Sequence, residues 1–182
     1  MSEVSELLER FNSGEPIAAE KLLPLVYDDL RKVAAAQLAS ERPGLTLQAT
    51  ALVHEAFLRL VGPSGTAAYA NRRYFFAAAA EAMRRILVER ARRSKRLKHG
   101  GDMKRVDIAE PEASAEDENL IALDEALTRL AAEDPIAAKV VELHHFAGLG
   151  HEQVAETLDI TVYRARQKWT FARAWLREAM EK

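Results

Sequence analysis

The sequence predicts an all-α protein made of two small helical domains joined by an acidic linker. Three observations carry that prediction. Apolar residues recur at helical spacing along most of the chain, as in Leu22, Val26, Leu30 and Val33, or Leu120, Leu123, Leu127 and Leu130. Alanine and leucine dominate, while only 8 Gly and 6 Pro occur among 182 residues, which favours helix over turn-rich sheet folds. Charge is segregated although the net charge is only -2. Arg84 to Lys98 holds eight basic residues against the single acid Glu89, and 107–118 holds six acids with no Lys or Arg.

Taken in order, Ser5 to Phe11 reads as a short amphipathic helix ended by Asn12-Ser13-Gly14. Ile17 to Ala39 follows, with Pro24 expected to start or kink a helix there, and Arg42-Pro43-Gly44 breaks it. Thr50 to Val61 places Val53, Ala56, Phe57 and Leu60 at core spacing and ends at Gly62-Pro63-Ser64-Gly65. Tyr69 to about Lys98 is the longest helical stretch. Its stripe is Phe76, Ala80, Met83 and Leu87, and its last turns are almost purely basic before Gly100-Gly101. Residues 101–118 lack apolar period, contain Pro111 and read as the linker between domains at 1–100 and 119–182. The second domain opens with the Leu120–Leu130 stripe. Asp134-Pro135 then starts a helix from Ile136 to Phe146, with Pro135 at the favoured first position.

His151–Leu158 and Val162–Met180 form a helix-turn-helix pattern. Val154, Ala155 and Leu158 face inward, and Asp159 occupies a turn that calls for left-handed backbone. The Thr161 hydroxyl is placed to cap the second helix. Ala165, Trp169, Ala172 and Leu176 make the buried stripe, leaving Tyr163, Arg164, Arg166, Gln167 and Lys168 outward. Arg suits guanine edges, Gln suits adenine, and Lys or Thr suits phosphates. The same pattern also fits an ordinary helical hairpin with a solvated basic face. Upstream, the dense cations of Arg84–Lys98 repel one another unless a polyanion is near. A membrane surface is a weaker partner, because those turns offer few large apolar residues to insert. Tyr69, Tyr74 and Phe75 lie beside Asn71, Arg72 and Arg73, and aromatic faces beside cations suit unstacked bases.

Several classes are disfavoured. The absence of cysteine removes disulfide and Cys-zinc frameworks. The five histidines form no HExxH and no pair with a nucleophile, so neither an enzyme nor a metal or cofactor site is expected. The polar N-terminus and the lack of a long apolar run predict a soluble cytoplasmic protein.

Four motifs, LLPLVYDDLRKVA, TALVHEAFLRLV, YFFAAAAEAMRRILVERARRSKRLKHGG and KWTFARAWL, cover most of the chain in one order. In them the sequence resembles the sigma factors of the extracytoplasmic-function (ECF) type, in particular the group with a C-terminal ARAWL motif. The resemblance implies a first domain, sigma region two, that binds the beta-prime clamp helices of core RNA polymerase and recognises and melts the minus-ten element. It implies a second, sigma region four, that docks on the beta flap and reads the minus-thirty-five element of promoter DNA. On that resemblance His54, Glu55, Leu58 and Arg59 bind the polymerase. A pocket for a flipped base lies in the Gly62–Arg73 loop, with Asn71, Arg72 and Arg73. Arg84, Arg85, Arg92, Arg93 and Arg96 contact duplex upstream of it. Thr161, Tyr163, Arg164, Arg166, Gln167 and Lys168 serve the minus-thirty-five helix. An anti-sigma factor is a further partner class. The chain departs from the pattern at Gly150 (usually Ser), at Asp159 (usually Gly), and across TVYRARQKW, where relatives tend to SPRTVKRDW. The alternative reading is a stand-alone helix-turn-helix regulator, but no dimerisation heptad is present to support one.

Overall fold

The computed structural model describes residues 2–38, 46–62, 68–99 and 115–182. Their architecture is all-α, with no strand among the described residues. The expected linker and the Pro63–Ala67 part of the base-pocket loop lie outside them for the most part. Among the described residues eight α-helices run in order: α1 Glu3–Asn12, α2 Pro16–Leu38, α3 Thr46–Val61, α4 Arg72–His99, α5 Ala115–Glu133, α6 Pro135–Val141, α7 His151–Leu158 and α8 Val162–Glu181.

Helices α1 to α4 enclose one core. Leu8 from α1, Leu22, Val26 and Leu30 from α2, Leu52 and Val53 from α3, and Phe75, Met83 and Ile86 from α4 are its fully buried members. Pro24 neither starts nor breaks α2, which runs through it. The ring lies on the exposed face, while Leu22 and Val26 on either side are wholly buried, so packing holds the helix across the missing hydrogen bond. Tyr69 is core rather than a base platform. It stacks on Phe11, meets Phe75 edge-on at 5.3 Å and donates to the Leu60 carbonyl at 3.3 Å.

The C-terminal half builds on α5. Asp134 ends it and caps α6 by accepting from the Ala137 amide at 3.0 Å, with Pro135 at the first helical position. The single helix expected over Ile136–Phe146 is instead α6 followed by a π-helical turn, Glu142–Phe146. The Ala147 amide reaches back to the Glu142 carbonyl at 3.1 Å, and Gly148 at φ 72° redirects the chain. Such turns insert one extra residue per turn and rotate everything that follows. Here the rotation presents Glu142 and Phe146 to α4 and His144 to α7. Two small cores result. One joins α5, α6 and α8 through Leu127, Leu130 and Leu176; the other lies under α7 through Val140, Val154 and Ala165, with Trp169 against both.

Candidate nucleic-acid interface

The helix-turn-helix forms as its sequence requires. Gly150 precedes α7, and because it has no side chain the cap is completed by Gln153, whose amide oxygen accepts from the Gly150 N–H at 3.0 Å. Asp159 adopts φ 53° and ψ 48°, the left-handed turn. Thr161 caps α8 by accepting from the Arg164 amide at 3.1 Å. Ala165, Ala172 and Leu176 are buried with Trp169 half-buried, so the opposite face of α8 is exposed. It carries Tyr163, 75% exposed, with Arg164, Arg166 and Gln167. Lys168 stands apart. Its ammonium lies 2.5 Å from Asp134, so it ties α8 to the α6 cap. Burial pushes the Asp134 carboxyl up, but Lys168 and the amides of Ala137 and Ile136 outweigh it and the net shift is downward.

Behind this face an imidazole cluster supports Trp169. His144 and His151 stack at 4.2 Å, and His144 meets Trp169 edge-on at 4.5 Å. His144 Nδ1 donates to the Leu149 carbonyl at 2.6 Å. His151 Nδ1 is buried without a hydrogen-bond partner. The rings therefore pack against one another, and among the described residues no group of His, Asp or Glu converges as a metal site. Burial lowers both His145 and His151, and the charge of His144 lowers them further, with Arg166 adding to the effect on His151. A lowered folded value means that the unfolded chain binds more protons. Stability is then complete above the ordinary imidazole value of about 6.5 and falls as pH drops through it toward the folded values. Denaturant midpoints are expected to fall between neutral and mildly acid pH, and His151→Ala is expected to flatten that slope; an unchanged slope would remove His151 from the account.

In the N-terminal half, α3 presents His54, Glu55, Leu58 and Arg59 outward, with Leu58 68% exposed. Arg59 grips Glu89 with two bonds of 2.8 and 3.1 Å and reaches Glu55 at 3.3 Å, while Arg90 also binds Glu55 at 2.8 Å. The Glu89 hydrogen bond is the main reason the Arg59 value is raised, and the same bond lowers the Glu89 carboxyl. Leu58 thus projects from a surface whose charges are already fixed.

The cations of α4 are distributed unevenly. Asn71 accepts from the Tyr74 amide at 3.2 Å and starts the helix. Arg72 binds Asp29 at 2.5 Å and covers the Phe76 ring. Arg73 pairs with Glu156 of α7. Arg85 pairs with Glu81 at 2.6 Å and Arg92 with Asp124 at 3.1 Å. Arg92, Arg93, Lys95 and Arg96 line an open cleft with Glu89, Glu125 and Ile121. Arg84 does not face outward with them; it is buried. The sequence held a signal for that, because Arg84 falls four residues after Ala80 and three before Leu87, inside the apolar stripe. The partners of Arg84 and the hydrogen bond from Tyr74 to the Thr157 carbonyl, at 2.7 Å, had no such signal.

A capped basic helix set by a tight turn on an all-helical frame defines a helical DNA-binding protein. The chain belongs to the ECF sigma factor family, whose model matches residues 1–182, its entire length. No curated protein matches it at a significant level. The family consists of non-catalytic transcription initiation factors, so the protein has a sigma-type role in promoter-directed transcription, with RNA polymerase and promoter DNA as partners. Among the described residues no helix is long and apolar enough to cross a membrane.

Proposed function

We propose that this protein binds core RNA polymerase through the exposed face of α3 and directs initiation at promoters read by two separate surfaces. The observation that carries this reading is the exposed, capped face of α8 on a chain of the ECF sigma family. In this reading Tyr163, Arg164, Arg166 and Gln167 contact bases of the minus-thirty-five element. Thr161 and Lys168 flank them, with Lys168 serving mainly to fix α8 against Asp134. Asn71, Arg72 and Arg73 border the pocket for a flipped base, and Arg85, Arg92, Arg93 and Arg96 approach the upstream phosphates. Arg84 is buried against Asp124 and stands apart from that set.

The test combines purified protein with core polymerase and a promoter library, followed by sequencing of the transcripts. Start sites sharing a pair of upstream elements support the reading; failure to join core enzyme, or start sites without shared elements, refutes it. A stand-alone regulator would bind DNA yet yield no start sites. On the α3 face, Leu58→Ala is expected to weaken core binding by about tenfold or more, the scale of an anchoring side chain. Helix content is expected to stay unchanged, since Leu58 is exposed. Wild-type affinity in a titration of core polymerase would move the interface elsewhere.

A further inference from the structure

Beside its buried stripe, α8 is held by the corner where α5 meets α6. Glu133 and Asp134 are consecutive there, and they accept from different turns of α8. Asp134 uses both carboxylate oxygens. One accepts from the Ala137 amide at 3.0 Å and caps α6; the other takes the Lys168 ammonium at 2.5 Å. Glu133 accepts from the Trp175 indole Nε1 at 3.0 Å. Arg129, one turn earlier on α5, lies 5.8 Å from the centre of the Trp175 ring and donates to the Ala179 carbonyl at 3.4 Å. Lys168, Trp175 and Ala179 fall at i, i+7 and i+11, so they form one row along α8. The side chains of Lys168 and Asp134 are only 25% and 21% exposed. On the other flank of the stripe, Trp169 packs against His144 and His151.

We propose that Asp134 and Glu133 are positioning residues for promoter reading: they fix the roll of α8 through Lys168 and Trp175, so that discrimination between base sequences depends on two carboxylates that do not touch DNA. The proposal rests on the sigma reading above. Apolar packing alone holds that roll weakly. Among the described residues, the core joining α5, α6 and α8 has eight buried side chains, and four are the alanines Ala126, Ala137, Ala138 and Ala172. Small side chains let helices approach closely but interlock little, so several rolls pack almost equally well. A charged bond is directional, and a partly buried polar pair selects one register among similar packings. The roll matters because the reading side chains stand at the rim of the helix. They reach about 6 Å from its axis, so a roll of about 20° carries their tips about 2 Å. That is more than a bidentate hydrogen bond to a base edge tolerates. Lys168 has the type of a phosphate contact, but its charge is matched by Asp134, so it adds no counterion release of its own.

Binding titrations of the full chain test this with two duplexes: the upstream element shared by the start sites of the promoter library, and the same duplex with its bases scrambled. Discrimination is the ratio of the two dissociation constants, in which a uniform change of charge cancels. Asp134→Asn keeps the α6 cap, because an Asn oxygen accepts from the Ala137 amide as Asp does, and loses the charged bond to Lys168. Lys168→Met removes the ammonium and keeps the stem. Each is expected to lower discrimination about tenfold, the scale of one lost base contact. The double variant is expected to lower it no further, because both changes break the same bond. Lys168→Arg keeps the charge and is expected to stay within about twofold of the wild type. Helix content by circular dichroism and the salt dependence of binding are expected to stay at wild-type values in Lys168→Met. A phosphate contact gives the opposite pattern: a salt slope shallower by about one in Lys168→Met, and tighter binding of both duplexes in Asp134→Asn. That pattern, or unchanged discrimination in Asp134→Asn, would overturn the positioning role and leave the sigma reading intact. If Asp134→Asn loses helix, Trp175→Phe decides. It keeps a ring beside Arg129 and removes only the N–H held by Glu133. It is expected to lower discrimination about threefold, the scale of one hydrogen bond, and no change would overturn the proposal. A library whose start sites share no upstream element removes the sigma reading and the positioning role with it.

Discussion

Phe75→Ala is expected to lower the unfolding free energy by about 3–5 kcal/mol, the scale for removing a fully buried aromatic ring. Phe75 has no solvent exposure and meets Phe57, Tyr69 and Phe76 edge-on at 6.4, 5.3 and 5.7 Å. Its removal takes away transfer energy and leaves a cavity walled by three rings that cannot all collapse into it. Equilibrium denaturation in urea checks this, and a loss below about 1 kcal/mol would mean that the site relaxes. The same experiment reads coupling between α4 and α7. Phe75 follows Tyr74, which bonds to α7, so one transition seen by both N-terminal and Trp169 probes is expected where the halves unfold together.

Arg164→Ala with Arg166→Ala is expected to reduce affinity for the upstream promoter element by about a hundredfold, since each bidentate guanine contact is worth about 1–3 kcal/mol. Both side chains are exposed on α8, and only the Arg164 backbone amide serves the Thr161 cap, so the helix itself is expected to persist. Binding titrations against the wild-type and base-scrambled elements separate two outcomes. A loss of discrimination between sequences marks base contacts. A uniform loss with a shallower salt dependence marks phosphate contacts. Unchanged affinity would place the reading surface elsewhere.

Helix identity was legible because it depends on local pattern. The Asp134-Pro135 start, the Asp159 turn and the Thr161 cap each follow from one or two residues and took the form their chemistry dictates. Where a longer-range balance decides, local reading fell short. Pro24 is carried through α2 because its neighbours are buried, and helix α6 yields to a π-helical turn where the chain packs between α4 and α7. Arg84 belongs to a basic run in the sequence, yet its place in the apolar stripe buries it. Lys168 suits a phosphate by type, and it meets Asp134, a carboxylate 34 residues away.

The sequence by itself determined an all-helical chain, the capped helix-turn-helix and the outward set on α8, because helical period, caps and left-handed turns are properties of near neighbours. Tertiary structure alone decided which acids the cations meet. Arg73, Arg84 and Arg92 find acids 83, 40 and 32 residues along the chain. Charge pairing acts through space and burial sets its strength, so partners so remote leave no periodic trace in the sequence.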